Sequence, residues 1–115
     1  MRIVDNNNRI GLDELSRMAE VLFGDLVKAV VDVERNRMIV DAELHADEEA
    51  MLIEQGSDQE NLWGINLYPG LKGEDFVEFD SMINLRPSIG NRSRGVENPA
   101  IRARIRRIVN NLVIR

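Results

Sequence analysis

Two runs of alternating apolar and polar residues, LVKAVVDVE (26–34) and RMIVDAEL (37–44), meet at Arg35-Asn36 and constrain this chain more than any other feature. A period of two is the mark of strands with one buried face. With Arg35-Asn36 as a two-residue turn, Val33 falls opposite Met38, Val31 opposite Val40, Ala29 opposite Ala42 and Val27 opposite Leu44. Every apolar partner then lies on one face, whereas a slip of one residue would turn that whole set to the other side. On the second face Lys28 meets Glu43 and Val30 meets Asp41. The pattern predicts an antiparallel hairpin.

The flanking segments read as elements that can cover it. Leu12, Leu15, Met18, Ala19 and Leu22 recur at helical spacing, with Asp13 and Glu14 in the first turn, Gly24 placed to stop the helix and Phe23 to dock it. Arg2 to Val4 has the makings of a short strand, but the turn-like DNNN that follows keeps it out of the main order. After the hairpin, HADEEAMLIEQG predicts a helix from Ala46 to Gln55, with Asp47, Glu48 and Glu49 at its positive end and Gly56 beyond it. Ser57 to Glu60 has the S-x-x-E form of one further turn. WGINLYP alternates again, placing Trp63, Ile65 and Leu67 together, and a strand FVEFDSMINLR is expected from Phe76 to Arg86, where Pro87 ends it. Asn98 as N-cap, Pro99 at the first helical position and the stripe Ile101, Ile105, Ile108, Val109, Leu112 mark a last helix.

The order is therefore α-β-β-α-β-β-α. Its fold class is α+β, one domain over residues 1–115, with helices packed on one face of a four-stranded antiparallel sheet.

Composition narrows the chemistry. The chain has no cysteine, which excludes disulfides, thiolate metal sites and a cysteine nucleophile and fits a reducing cytoplasm. The N-terminus MRIVDNNNRI lacks the apolar core of a signal peptide, and no apolar run approaches a membrane span. A single histidine, with no G-x-S-x-G, Walker A or dinucleotide fingerprint, argues against nucleophilic and nucleotide-cofactor enzymes. Charge is strongly divided. Met1 to Leu85 holds 7 basic and 19 acidic residues, a net −12, whereas Arg86 to Arg115 holds 8 and 1, a net +7. Such a basic end suits anions, or the acidic body of the same or another chain.

Two candidate sites follow. In the loop from Arg86 to Glu97, Arg86, Arg92 and Arg94 offer multi-donor groups, Ser88 and Ser93 hydroxyls, and Gly90-Asn91 the left-handed backbone that gathers N–H groups. This loop is the expected cradle for a phosphate-bearing ligand, a nucleotide or a nucleic-acid backbone. Against it stand Asn98, Pro99 and Glu97, which leave the following helix poorly arranged for an anion; the competing reading pairs these arginines with Glu78, Asp80 or the acidic helix. The second candidate is acidic: Asp41, Glu43, His45, Asp47, Glu78 and Asp80. Asp41, Glu43, His45 and Asp80 are the weak candidates for a divalent metal and hydrolase or nuclease chemistry; the plainer reading is a solvated sheet face in which Lys28 neutralises Glu43. Arg102, Arg104, Arg106 and Arg107 form a basic face of the last helix, without the aromatic interleaving of a nucleic-acid platform.

These residues favour a non-catalytic binding domain for a phosphate-bearing ligand, without a cofactor. The alternative is a protein-interaction or self-assembly module, a homo-oligomer joining acidic and basic surfaces.

The strings ELHADEEAMLIEQGSDQENLWGINLYP and EFDSMINLRPSIGNRS resemble an uncharacterised prokaryotic family catalogued as domain of unknown function 5674. The resemblance covers nearly the whole chain and implies neither an activity nor a role for any residue.

Overall fold

Ten helices and strands follow one another along residues 1–115, all of which the computed structural model describes. They are β1 (Arg2–Val4), β2 (Ile10–Gly11), α1 (Leu12–Leu22), β3 (Val27–Asp32), β4 (Arg37–Val40), α2 (His45–Glu54), β5 (Leu62–Leu67), β6 (Val77–Glu78), α3 (Pro99–Leu112) and β7 (Val113–Ile114). Five strands form one antiparallel sheet in the order β1-β4-β3-β5-β6, and β2 pairs in parallel with β7. The chain is a single α+β domain. No helix is long and apolar enough to cross a membrane.

The hairpin forms two residues out of its expected register. Val31 lies opposite Met38 and Ala29 opposite Val40, so the turn takes the four residues Val33 to Asn36. Asp32 is the cause. Its Oδ1 accepts the N–H groups of Glu34 and Arg35, both at 3.0 Å, and thereby ends β3 early in an Asx turn. Asn36 then takes a left-handed φ of 53°. Because the shift is by two, every side chain keeps its expected face.

β4 also ends early. Asp41 adopts φ 73°, so Ala42 to Leu44 leave the sheet, and the Asp41 N–H donates to the Lys28 carbonyl where Glu43 was expected to meet the Lys28 side chain. The chain must pass from β4 to β5 across β3, which lies between them. α2 makes that passage.

The two sheet faces are covered unequally. Val27, Ala29, Val31, Met38, Val40 and the expected trio Trp63, Ile65 and Leu67 pack against Leu15 and Ala19 of α1 and against Ile105, Ile108, Val109 and Leu112 of α3. On the opposite face Val30 and Ile39 form a smaller cluster with Leu62 and with Leu52 of α2. The one-sided arrangement thus holds for α1 and α3, while α2 takes the second face. Leu52 is fully buried, which stabilises its attachment by about 2 kcal/mol.

Local signals explain the helix ends. Gly24, at φ 93°, lets its N–H return to the Ala19 carbonyl and close α1, and Asn98 Oδ1 accepts the Ala100 N–H at 2.9 Å to open α3. Phe23 remains partly exposed, with the Lys28 ammonium 5.3 Å from its ring centroid. Ser57 does not cap the turn after it; its hydroxyl donates to Asp32 Oδ2 at 2.5 Å.

The long strand expected from Phe76 to Arg86 is reduced to Val77 and Glu78, paired with Leu67 and Asn66. Beyond it the chain lifts off the sheet edge and crosses Gly64 through tight turns at Met82–Asn84 and Pro87–Ile89. A Cβ on Gly64 would lie 2.5 Å from Ser81 Cβ, so only glycine admits this crossing. The Asn84 amide replaces the missing ladder, accepting the Gly64 N–H at 2.8 Å and donating to its carbonyl at 2.9 Å. The strand alternation is lost with the strand: Ile83 joins the α2 cluster, and Leu85 is exposed.

Candidate functional site

The second sheet face changes character along its length. Val30, Ile39 and Leu62 give way to a polar row in which Lys28 of β3 faces Asn66 of β5, and Asn66 faces Glu78 of β6. Asn66 Nδ2 donates to Glu78 Oε1 at 2.8 Å, and the Tyr68 hydroxyl donates to the same oxygen at 3.1 Å. Above the row the first turn of α2 and the crossing segment after β6 leave a pocket of 160 Å³. Lys28, His45, Ser81 and Arg94 supply its polar lining, and Leu44 and Met82 form part of its apolar lining.

Each polar member is held by its own local structure. His45 opens α2 and is 7 % exposed; its Nε2 lies 2.7 Å from the Ile65 carbonyl, which as an acceptor requires the proton on Nε2. Nδ1 has no hydrogen-bond partner within the protein and remains open to solvent. Burial lowers the His45 pKa, an effect opposed by the Ile65 carbonyl and assisted by Lys28. Arg94 is tethered by Nε to Asp80 Oδ1 at 2.7 Å, leaving its terminal nitrogens free of the protein. Ser81 Oγ accepts the Ile83 N–H at 3.3 Å and keeps its own proton to donate. No side chain caps α2, so the pocket also meets the positive end of a helix.

Glu48, one turn after His45, is fully buried. Its Oε2 accepts the Ala42 N–H at 3.3 Å and its Oε1 has no partner. Desolvation pushes its pKa up to about 10 against the Ala42 hydrogen bond, so the carboxyl is neutral near pH 7. Lys28 and Arg94 are the charged residues of the pocket lining, with Asp80 paired to Arg94 beside it.

The residues of the expected phosphate loop are distributed differently. Arg86 stacks 4.3 Å from the Trp63 ring centroid and donates to the carbonyls of Gln59, at 2.8 Å, and Leu62. Buried Asn91 donates to the carbonyls of Asn84 and Gly95 at 2.7 and 2.8 Å and accepts the Glu97 N–H at 2.9 Å. Ser93 Oγ accepts the Gly95 N–H at 3.2 Å, and Glu97 accepts the Arg92 N–H at 2.6 Å. Gly90 takes φ 87°; Ser88, Gly90 and the Arg92 side chain are exposed. Of the seven loop residues, Arg94 alone lines the pocket.

Of the acidic candidates, His45 lines the same pocket and Asp80 holds Arg94 beside it, while Asp41 ends β4 and Glu43 lies exposed after it. No three His, Asp or Glu side chains are grouped to hold a metal ion. Sequence reasoning missed Lys28, Asn66, Ser81 and Glu48 as site residues. The shared strand face of Lys28 and Asn66 was readable from alternation, but nothing in the sequence announces where Ser81 crosses.

The basic end pairs little with the acidic body. Arg94–Asp80 is the one salt bridge between residues 86–115 and the rest, and Arg102 and Arg106 spend their donors on the carbonyls of Val96, Glu97 and Glu74. Arg104 and Arg107 are exposed without a partner. A larger groove of 410 Å³ lies between the end of α1 and Tyr68 to Leu71, but Glu20 and Asp25 are its only charged lining, and no cation converges there.

The family described as protein of unknown function (DUF5674) matches residues 3–112. No curated protein and no solved structure matches the chain.

Proposed function

The chain belongs to the DUF5674 family, and we propose that it is a non-catalytic binding domain that holds a phosphate-bearing ligand in the pocket between α2 and the crossing segment. One observation carries this reading: Lys28, Arg94, the Ser81 hydroxyl and the uncapped N-terminus of α2 converge on one small cavity. Charged donors and a helix terminus together suit a phosphoryl group, whose oxygens accept several hydrogen bonds at once. Arg94 is the member of the Arg86–Glu97 loop that takes part, and Arg86 and Asn91 hold the loop that presents it. A chain without cysteine suits a reducing cytoplasm.

Calorimetric titration with inorganic phosphate tests the reading. Lys28→Gln and Arg94→Gln are each expected to weaken binding about tenfold or more, because each removes a charge-assisted contact. Melting should change little, since the Arg94–Asp80 pair and the Phe23 ring beside Lys28 are both exposed. No saturable heat with the native protein, or equal affinity in both variants, would contradict it.

A second reading, self-assembly through complementary surfaces, draws support from the exposed, unpaired Arg104 and Arg107 and from the excess of acidic residues in 1–85. It predicts a dimer in light scattering at low salt that dissociates as salt is added; a monomer throughout would exclude it.

A further inference from the structure

A pocket made only of donors would take any small oxyanion of matching size. This one contains an acceptor. The Ile65 carbonyl, 2.7 Å from His45 Nε2, fixes the proton on that nitrogen and leaves a lone pair on Nδ1. His45 is 7 % exposed, lines the cavity beside Lys28, Ser81 and Arg94, and has no second hydrogen bond. The charged groups around it are Lys28, Arg94 and Asp80, and Asp80 is occupied by Arg94. A ligand that fills this cavity shuts solvent away from Nδ1, and must then bring a hydrogen to it or leave it a buried, unpaired acceptor, which is costly.

On this basis we propose that the pocket selects a phosphate that still carries a proton: its P–OH donates to His45 Nδ1 while its other oxygens face Lys28, Arg94 and Ser81. The inference rests on the phosphate reading above and narrows it. Inorganic phosphate retains a proton at neutral pH. A phosphate monoester loses its last one near pH 6, a phosphodiester has none, and sulfate is fully deprotonated. The favoured ligand class is therefore hydrogen phosphate itself, ahead of organic monoesters, with nucleic-acid backbone disfavoured. The cavity of 160 Å³ has room for one such group.

Four probes separate the possibilities at pH 7.5: inorganic phosphate, methyl phosphate, dimethyl phosphate and sulfate, each titrated into the native protein by calorimetry. Inorganic phosphate should bind at least about tenfold more tightly than sulfate and dimethyl phosphate, the scale set by one unpaired buried acceptor. Methyl phosphate, mostly without its proton, should fall between. In His45→Phe, which carries no acceptor, the ratio of phosphate to sulfate should collapse toward one. Sulfate matching phosphate, or methyl phosphate exceeding it, overturns the selection while leaving phosphate binding in place. No binding of any probe overturns both. The native comparison decides the matter even if the His45 variant fails to fold.

Discussion

Asn84 grips Gly64 by both sides of its peptide edge, its side-chain amide accepting from the Gly64 nitrogen at 2.8 Å and donating to the Gly64 oxygen at 2.9 Å. A primary amide carries the donor and acceptor that a neighbouring strand would supply, so it closes the sheet edge where β6 has already departed. The same amide reaches the Arg94 carbonyl at 2.9 Å, and Ser81 N–H donates to that carbonyl too. Two pocket residues are thus tied to the sheet through one buried asparagine.

Gly64→Ala tests this arrangement. Its Cβ would stand 2.5 Å from Ser81 Cβ and 3.1 Å from Ile83, and Ser81 is pinned by its backbone hydrogen bond. The expected loss is about 2 kcal/mol or more in denaturant unfolding, together with weaker phosphate binding by the folded fraction. A variant as stable as the native chain would show that the crossing is not packed as described.

Much of this frame was legible in the sequence because it depends on local rules. The Asn98-Pro99 start of α3, the Gly24 stop of α1 and the common face of Trp63, Ile65 and Leu67 follow from capping and alternation. The hairpin was read correctly as to face but not as to register, because Asp32 competes for backbone N–H groups that a two-residue turn would have left free. FVEFDSMINLR alternates like a strand, yet Gly64 and Asn84 offer a tertiary alternative visible only once two distant segments meet. For the same reason the arginine loop was visible as a composition while its geometry was not. Arg86 and Asn91 turn inward to satisfy carbonyls, and the pocket borrows Lys28 and His45 from elsewhere.

Glu48 makes stability depend on pH. Its pKa is raised from 4.5 to about 10 by burial, so between those values the folded chain holds a proton that the unfolded chain has released. Stability from this group is therefore greatest below about pH 4.5 and declines as pH rises toward 10, by at most about 1.4 kcal/mol per pH unit. Glu48→Gln should flatten that decline and raise stability at pH 8 and 9. Urea midpoints from pH 5 to 9 provide the check, and parallel curves for the two proteins would contradict the burial argument.

Arg86→Gln separates the clasp from the binding site. Losing the stack on Trp63 and the bonds to the Gln59 and Leu62 carbonyls should lower stability by about 2 kcal/mol. Phosphate affinity of the folded variant should remain within about twofold of native, since Arg86 does not line the pocket. A stable variant that has lost phosphate binding would return the site to the loop.

The most direct measurement is an amide NMR titration with inorganic phosphate. Saturable shifts should centre on Lys28, His45, Ala46, Ser81 and Arg94, with Arg86 to Arg92 nearly unmoved. Shifts confined to Arg86 through Arg92, or none at either place, would contradict the assignment of the pocket as the phosphate site.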